Sequence, residues 1–191
     1  MIEKIKQNAA VFLAFLIPIL LILGIALSVY IPSIFLSTKY DFIYATCDDN
    51  RYSYRYDCAN YFNNIFKVEN GKLVEYPVDP LADSDKDGIT DNKENYTARV
   101  FLHDTEKNVS SEITLEEAKQ LNLRGLITSP DGVSVSNDYE YGAEFFPFFG
   151  TNSKHGYYLT KGKIKKKLDL INENDNYYYY GGNFKFLGWV I

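Results

Sequence analysis

The sequence predicts an N-terminal transmembrane helix followed by a mainly β, antiparallel outer domain with one short helix. Three observations lead there. From Ala9 to Leu36 no residue is charged. After Tyr40 the chain breaks into short runs rich in aromatic and β-branched residues, separated by Gly, Pro and Asn turns. A single segment, Thr114-Leu115-Glu116-Glu117, has the pattern of a helix start. The expected organisation is a cytoplasmic N-terminus at 1–8, the transmembrane helix at 9–36 and an extracytoplasmic β-rich domain at 37–191.

The apolar run is long enough for this role. At about 1.5 Å per residue it reaches about 42 Å, against about 30 Å of bilayer hydrocarbon. Pro18 is expected to kink the helix and Pro32 to sit near its outer end. Tyr30 and Phe35 suit the membrane interface. A cleaved signal peptide has a shorter apolar region and ends in small residues of the Ala-x-Ala type, which do not follow here. The expectation is therefore a signal anchor, single-pass, in the cell membrane. Lys4 and Lys6 precede the run and Lys39 alone follows closely, so the positive-inside rule puts the N-terminus in the cytoplasm.

The outer segments read as follows. Asp41 to Thr46 is the first strand. Ile65 to Glu69 and Lys72 to Tyr76 flank Asn70-Gly71, a hairpin signal because both turn residues tolerate positive φ. Thr97 to His103 is a further strand, with Asp104 to Asn108 as its turn. Val133 to Ser136, Glu144 to Phe149, Tyr157 to Thr160, Tyr177 to Tyr180 and Phe184 to Val190 complete the set. The helix runs from the Thr114 cap to about Leu121. Cys47 and Cys58 match no zinc or redox spacing. In an exported region they are expected to form a disulfide, worth about 3 kcal/mol for so short a loop.

The composition is that of a folded chain, 46% hydrophobic and 24% charged over 191 residues. A net charge of −5 speaks against nucleic acid as a partner. The chemically informative motif is Asp83-Ser84-Asp85-Lys86-Asp87-Gly88-Ile89-Thr90-Asp91-Asn92-Lys93-Glu94. Calcium takes six to eight oxygens at about 2.3–2.6 Å, and carboxylates at alternate positions of a tight loop converge on one point. Asp83, Asp85 and Asp87 occupy positions one, three and five. Gly88 allows the sharp turn at six, Ile89 offers its carbonyl at seven, Asp91 stands at nine and Glu94 at twelve. The segment resembles an EF-hand-type calcium loop, closer to the thrombospondin type 3 variety. The resemblance covers these twelve residues and implies a structural calcium ion held by Asp83, Asp85, Asp87, Ile89, Asp91 and Glu94. It departs from an EF-hand in having no entering helix, since Pro77 and Pro80 precede it, and in standing alone.

No nucleophile elbow, His-Glu-x-x-His or phosphate loop occurs. The two histidines, His103 and His155, have no metal-ligand spacing, so no catalytic residue is assigned. The lysines at 161, 163, 165, 166 and 167 fit a solvated edge strand, with lipid head groups or an acidic polymer as the sharper reading. Arg99 to Asp104 with Ser111 to Thr114, and the Ser129-Pro130-Asp131-Gly132 turn, resemble parts of bacterial β-propeller blades, although the chain is too short for a propeller. The whole arrangement resembles small single-span bacterial membrane proteins with an aromatic-rich outer domain, which implies no activity. Two functions are expected to compete. One is a membrane-anchored, calcium-stabilised binding or envelope-assembly module that meets the lipid bilayer and a protein or glycan partner. The other is an envelope hydrolase with a site assembled from distant residues.

Overall fold

The computed structural model describes residues 2–48, 58–83, 86, 88–91, 97–140, 154–171 and 184–191. The expected strands at 144–149 and 177–180 lie outside them, as do the side chains of Cys47, Cys58 and His155. The chain forms two units that divide after Leu36.

The first unit is helix α1, Ile2–Phe35, which continues through Pro18 and Pro32. It begins well before Ala9, because the polar residues ahead of the apolar run are also helical. Phe12, Leu13, Phe15, Leu20, Leu21 and Phe35 are among its exposed side chains. Among the described residues no helix is long and apolar enough to cross a membrane.

The second unit is built on a five-stranded antiparallel sheet of order β5-β4-β1-β10-β6, where β1 is Phe42–Asp48, β4 Thr97–Asp104, β5 Val109–Ile113, β6 Leu123–Arg124 and β10 Phe184–Val190. Central strand β1 is covered on both faces, so Phe42, Ile43, Tyr44, Ala45 and Thr46 are all buried. Alternation assigns them to two different cores.

On one face Ile43, Ala45, Val100 and Leu187 meet Phe62, Ile65, Phe66, Leu73, Ala118 and Leu123. These come from helix α2 (Cys58–Ile65), hairpin β2–β3 (Phe66–Glu69 and Lys72–Glu75), helix α3 (Leu115–Gln120) and β6. The hairpin turns at Asn70 (φ 50°) and Gly71 (φ 76°), the left-handed pair that Asn-Gly favours. In α3 the Thr114 hydroxyl accepts from the Glu117 amide, and the Glu117 carboxylate accepts from the Thr114 amide. Helix α2 departs from the expectation of one short helix. Its sequence is poor in helix formers, with Asn60, Asn63 and Asn64, and carries no acidic residue in its first turn. Burial of Phe62 and Ile65 holds it in place.

The other face is aromatic. Phe42 packs against His103, Trp189, Phe186 and Tyr44, with ring centroids 4.9, 5.4, 5.7 and 6.0 Å away. Tyr44 stacks on Phe101 and Phe184, each at 5.2 Å. A three-stranded sheet, β7 (Ser134–Glu140), β8 (Lys154–Lys161) and β9 (Ile164–Lys167), comes against this face. The Tyr157 ring lies 3.9 Å from Phe184, and the amide of Ile171, just past β9, donates to the Tyr44 hydroxyl at 3.0 Å.

Phe184, Phe186 and Trp189 share this face although their spacings are two and three. A bulge resolves the mismatch: Ile43 pairs with Gly188 and Tyr44 with Phe186, so Leu187 is the extra residue and turns to the opposite core. Trp189 is then fully buried and donates from Nε1 to the Ile127 carbonyl at 3.2 Å. A Cβ on Gly188 would stand 3.1 Å from the Arg124 carbonyl oxygen, a backbone atom of paired strand β6. Gly188→Ala is therefore expected to destabilise the domain by about 1–3 kcal/mol. Thermal unfolding of the full chain measures this; an unchanged melting temperature would show that β6 yields freely.

Candidate functional site

The acidic loop leaves hairpin β2–β3 through Asp79 and Pro80. The Asp79 carboxylate accepts from the Leu81 amide at 3.0 Å, and the Asp79 carbonyl accepts from the Ala82 amide at 3.0 Å. The Asp91 amide returns to the Ala82 carbonyl at 2.8 Å, closing the loop at its base. Inside it Lys86 (φ 61°) and Gly88 (φ 90°) are left-handed, and the Gly88 amide donates to Asp83 Oδ2 at 3.0 Å. The turn assigned to the sixth position is thus made, and it fastens the carboxylate of the first.

Of the six expected ligands, Asp83, Ile89 and Asp91 are described; Asp85, Asp87 and Glu94 lie outside the described residues. Asp91 is 3% exposed. Burial first, then the charges of Asp91 and Glu75, raise the Tyr61 hydroxyl above its ordinary value. Among the described residues no group of three or more His, Cys, Asp or Glu is assembled for a metal.

The second polar cluster is one that sequence reasoning did not assemble. His103 is fully buried on the aromatic face, and its Nδ1 lies 2.9 Å from Ser110 Oγ on neighbouring β5. Register causes this, since His103 and Ser110 are directly paired. Ser110 Oγ also reaches the Asp169 carbonyl at 3.4 Å. Among the described residues His103 Nε2 has no hydrogen-bond partner. Burial lowers the His103 pKa, and Asn108 with the carboxylates of Asp41, Asp104 and Asp169 opposes the shift. A histidine and a hydroxyl in contact resemble part of a nucleophilic pair. Here the ring is sealed from solvent and no carboxylate bonds its second nitrogen among the described residues. Among the described residues the pair therefore lacks the third member and the solvent access that a nucleophilic site needs.

A third feature fastens the start of the domain. Buried Thr105 donates from Oγ1 to the carbonyls of Thr38 and Tyr40, both at 3.0 Å, and its amide donates to Asp41 at 3.0 Å. Thr38 Oγ1 donates to Asp131 Oδ1 at 2.9 Å. Asp131 belongs to the Ser129–Gly132 turn, where Gly132 has φ 82° and Ser129 Oγ accepts from the Val133 amide at 3.0 Å. Partial burial works against the charge on Asp131, but hydrogen bonds from Ser129, Thr38 and backbone amides hold its carboxyl below the ordinary value.

Comparison with known protein families, with curated proteins and with solved structures finds no match.

A histidine whose folded pKa is lowered stabilises the fold above its unfolded value of about 6.5, and that contribution is lost as pH falls toward the folded value. Stability of the full chain is expected to decline below about pH 6.5, before the carboxylates titrate. His103→Phe should flatten this part of the profile, while Ser110 Oγ keeps the Asp169 carbonyl as its acceptor. Parallel profiles for wild type and variant, measured by denaturant unfolding across pH, would assign the slope elsewhere.

Proposed function

We propose that the protein is a membrane-anchored extracytoplasmic β-domain, stabilised by calcium, that serves as a binding or envelope-assembly module. The observation that carries this reading is α1: a helix from Ile2 to Phe35 whose described apolar side chains, all but half-buried Leu16, stand exposed. Aliphatic side chains over such a length are costly in water, at about 25 cal/mol per Å², and at home in a bilayer. The uncharged run from Ala9 to Leu36 and the lysines at 4 and 6 give the orientation, with the N-terminus inside. The domain on Ser37–Ile191 then stands outside, where a Cys47–Cys58 disulfide is stable.

Full-length protein is expected to stay in the membrane fraction through alkaline carbonate extraction. A reporter active only outside the cytoplasm, fused after Ile191, should be active. Non-reducing mass spectrometry should find the Cys47 and Cys58 peptides linked. Recovery of the intact chain in the carbonate supernatant would sink the anchor, and alkylation of both thiols in native protein would sink the disulfide.

The calcium reading rests on the closed loop base and the Gly88–Asp83 bond together with the sequence positions of Asp85, Asp87 and Glu94. Five carboxylates in twelve residues repel one another unless a cation is bound. Calcium bound to the folded state alone should stabilise by about 2.7 kcal/mol at a hundredfold excess over Kd, and magnesium by less. Asp83→Ala or Glu94→Ala should abolish the calcium-dependent rise in melting temperature and leave a folded domain. Identical melting of the wild type in millimolar calcium and in chelator would reduce the loop to a solvated turn.

A further inference from the structure

Hairpin β8–β9 carries Lys161, Lys163, Lys165, Lys166 and Lys167. Two sets of hydrogen bonds place it. At one end Lys161 Nζ donates to the Asp131 carbonyl at 3.0 Å, and the Asp131 carboxylate is bonded to Thr38. At the other, Asn108 Nδ2 donates to the Lys167 carbonyl and the Asp169 amide donates to Asn108 Oδ1, both at 3.3 Å. Asn108 closes the same turn as Thr105, which is itself bonded to Thr38 and Tyr40. Both ends of the lysine segment are therefore tied to the few residues through which the chain enters this domain at Ser37.

Lys39 and Lys107 are exposed at this end, and Lys107 is paired with Asp104 at 2.6 Å. Lys165 is paired with Asp138. Lys163 and Lys166 pair with no carboxylate among the described residues. Exposed aliphatic side chains accompany the lysines. Ile191 follows Val190, whose amide bonds the Asp41 carbonyl, and Ile127 lies under Trp189 beside Leu126. Ile164 opens β9. A chain of net charge −5 thus gathers five lysines on one hairpin.

We propose that this end of the domain rests on the phosphate groups of anionic lipids. The ammonium groups of Lys163 and Lys166 bind phosphate as point charges, and Leu126, Ile127, Ile164 and Ile191 reach the acyl boundary. The field of an anionic leaflet fades within a Debye length, about 8 Å at physiological salt. A lysine run acts on it only if held close, and the bonds to Thr38 keep this run beside the chain's point of arrival from α1. The inference rests on the membrane-anchored reading of α1.

The test uses full-length protein in nanodiscs of phosphatidylcholine alone or mixed with phosphatidylglycerol. Lysine acylation is followed by mass spectrometry, with Lys67 on the opposite face as reference. Lys163 and Lys166 should react several-fold more slowly in the mixed discs, high salt should restore their rate, and Lys67 should not change. Lys163→Gln combined with Lys166→Gln should remove most of the remaining protection of Lys161. Equal rates in both lipids for stably inserted protein overturn this inference alone. Protection that appears only on adding an anionic polysaccharide also overturns it, in favour of a polymer partner. A chain that carbonate extracts from membranes overturns the anchor reading, and this inference with it.

Discussion

The outer domain depends on a strand that is buried on both sides. Phe42 to Thr46 sit between two unlike cores, aliphatic toward the helices and hairpin and aromatic toward the three-stranded sheet. Such a strand has no solvent face, so each residue must match whatever covers it. Its partners are remote in sequence: β4 on one side and the C-terminal β10 on the other. The domain therefore closes only when its first and last strands meet. Long-range pairing of this kind carries a loop-closure cost before any contact repays it.

The bulge in β10 follows from the same constraint. Without Leu187 as the extra residue, alternation would turn Trp189 toward the opposite core. With it, the ring joins Phe42 and Phe186, and its N–H finds the Ile127 carbonyl. Gly188 is then required for packing: β6 passes so close that a methyl group meets its backbone.

Polar groups at the chain's point of arrival are handled as strictly. Thr38, Thr105 and Asp131 bond one another or nearby backbone, so buried donors and acceptors are satisfied where the sheet begins. His103 differs: one ring nitrogen is bonded to Ser110, and the other has no partner among the described residues. The acidic loop is closed in part by a backbone bond from Asp91 to Ala82 and by the Asp83 carboxylate, which accepts from the Gly88 amide.

Features decided by local chemistry were legible in the sequence. The Asn70-Gly71 hairpin, the Thr114 capping box and the Ser129–Gly132 turn all follow from φ preferences or short-range hydrogen bonds. The bend of the acidic loop followed from glycine at its sixth position. Features decided by distant contacts were not legible. Helix α2 is a poor helix on its own and exists because Phe62 and Ile65 are buried. Strand order, the bulge at Leu187 and the pairing of His103 with Ser110 depend on which segments meet across the chain. The lysine run illustrates the division. Its composition and edge position could be read from residue types, but its place beside Thr38 comes from hydrogen bonds spanning most of the domain, and no local pattern encodes those.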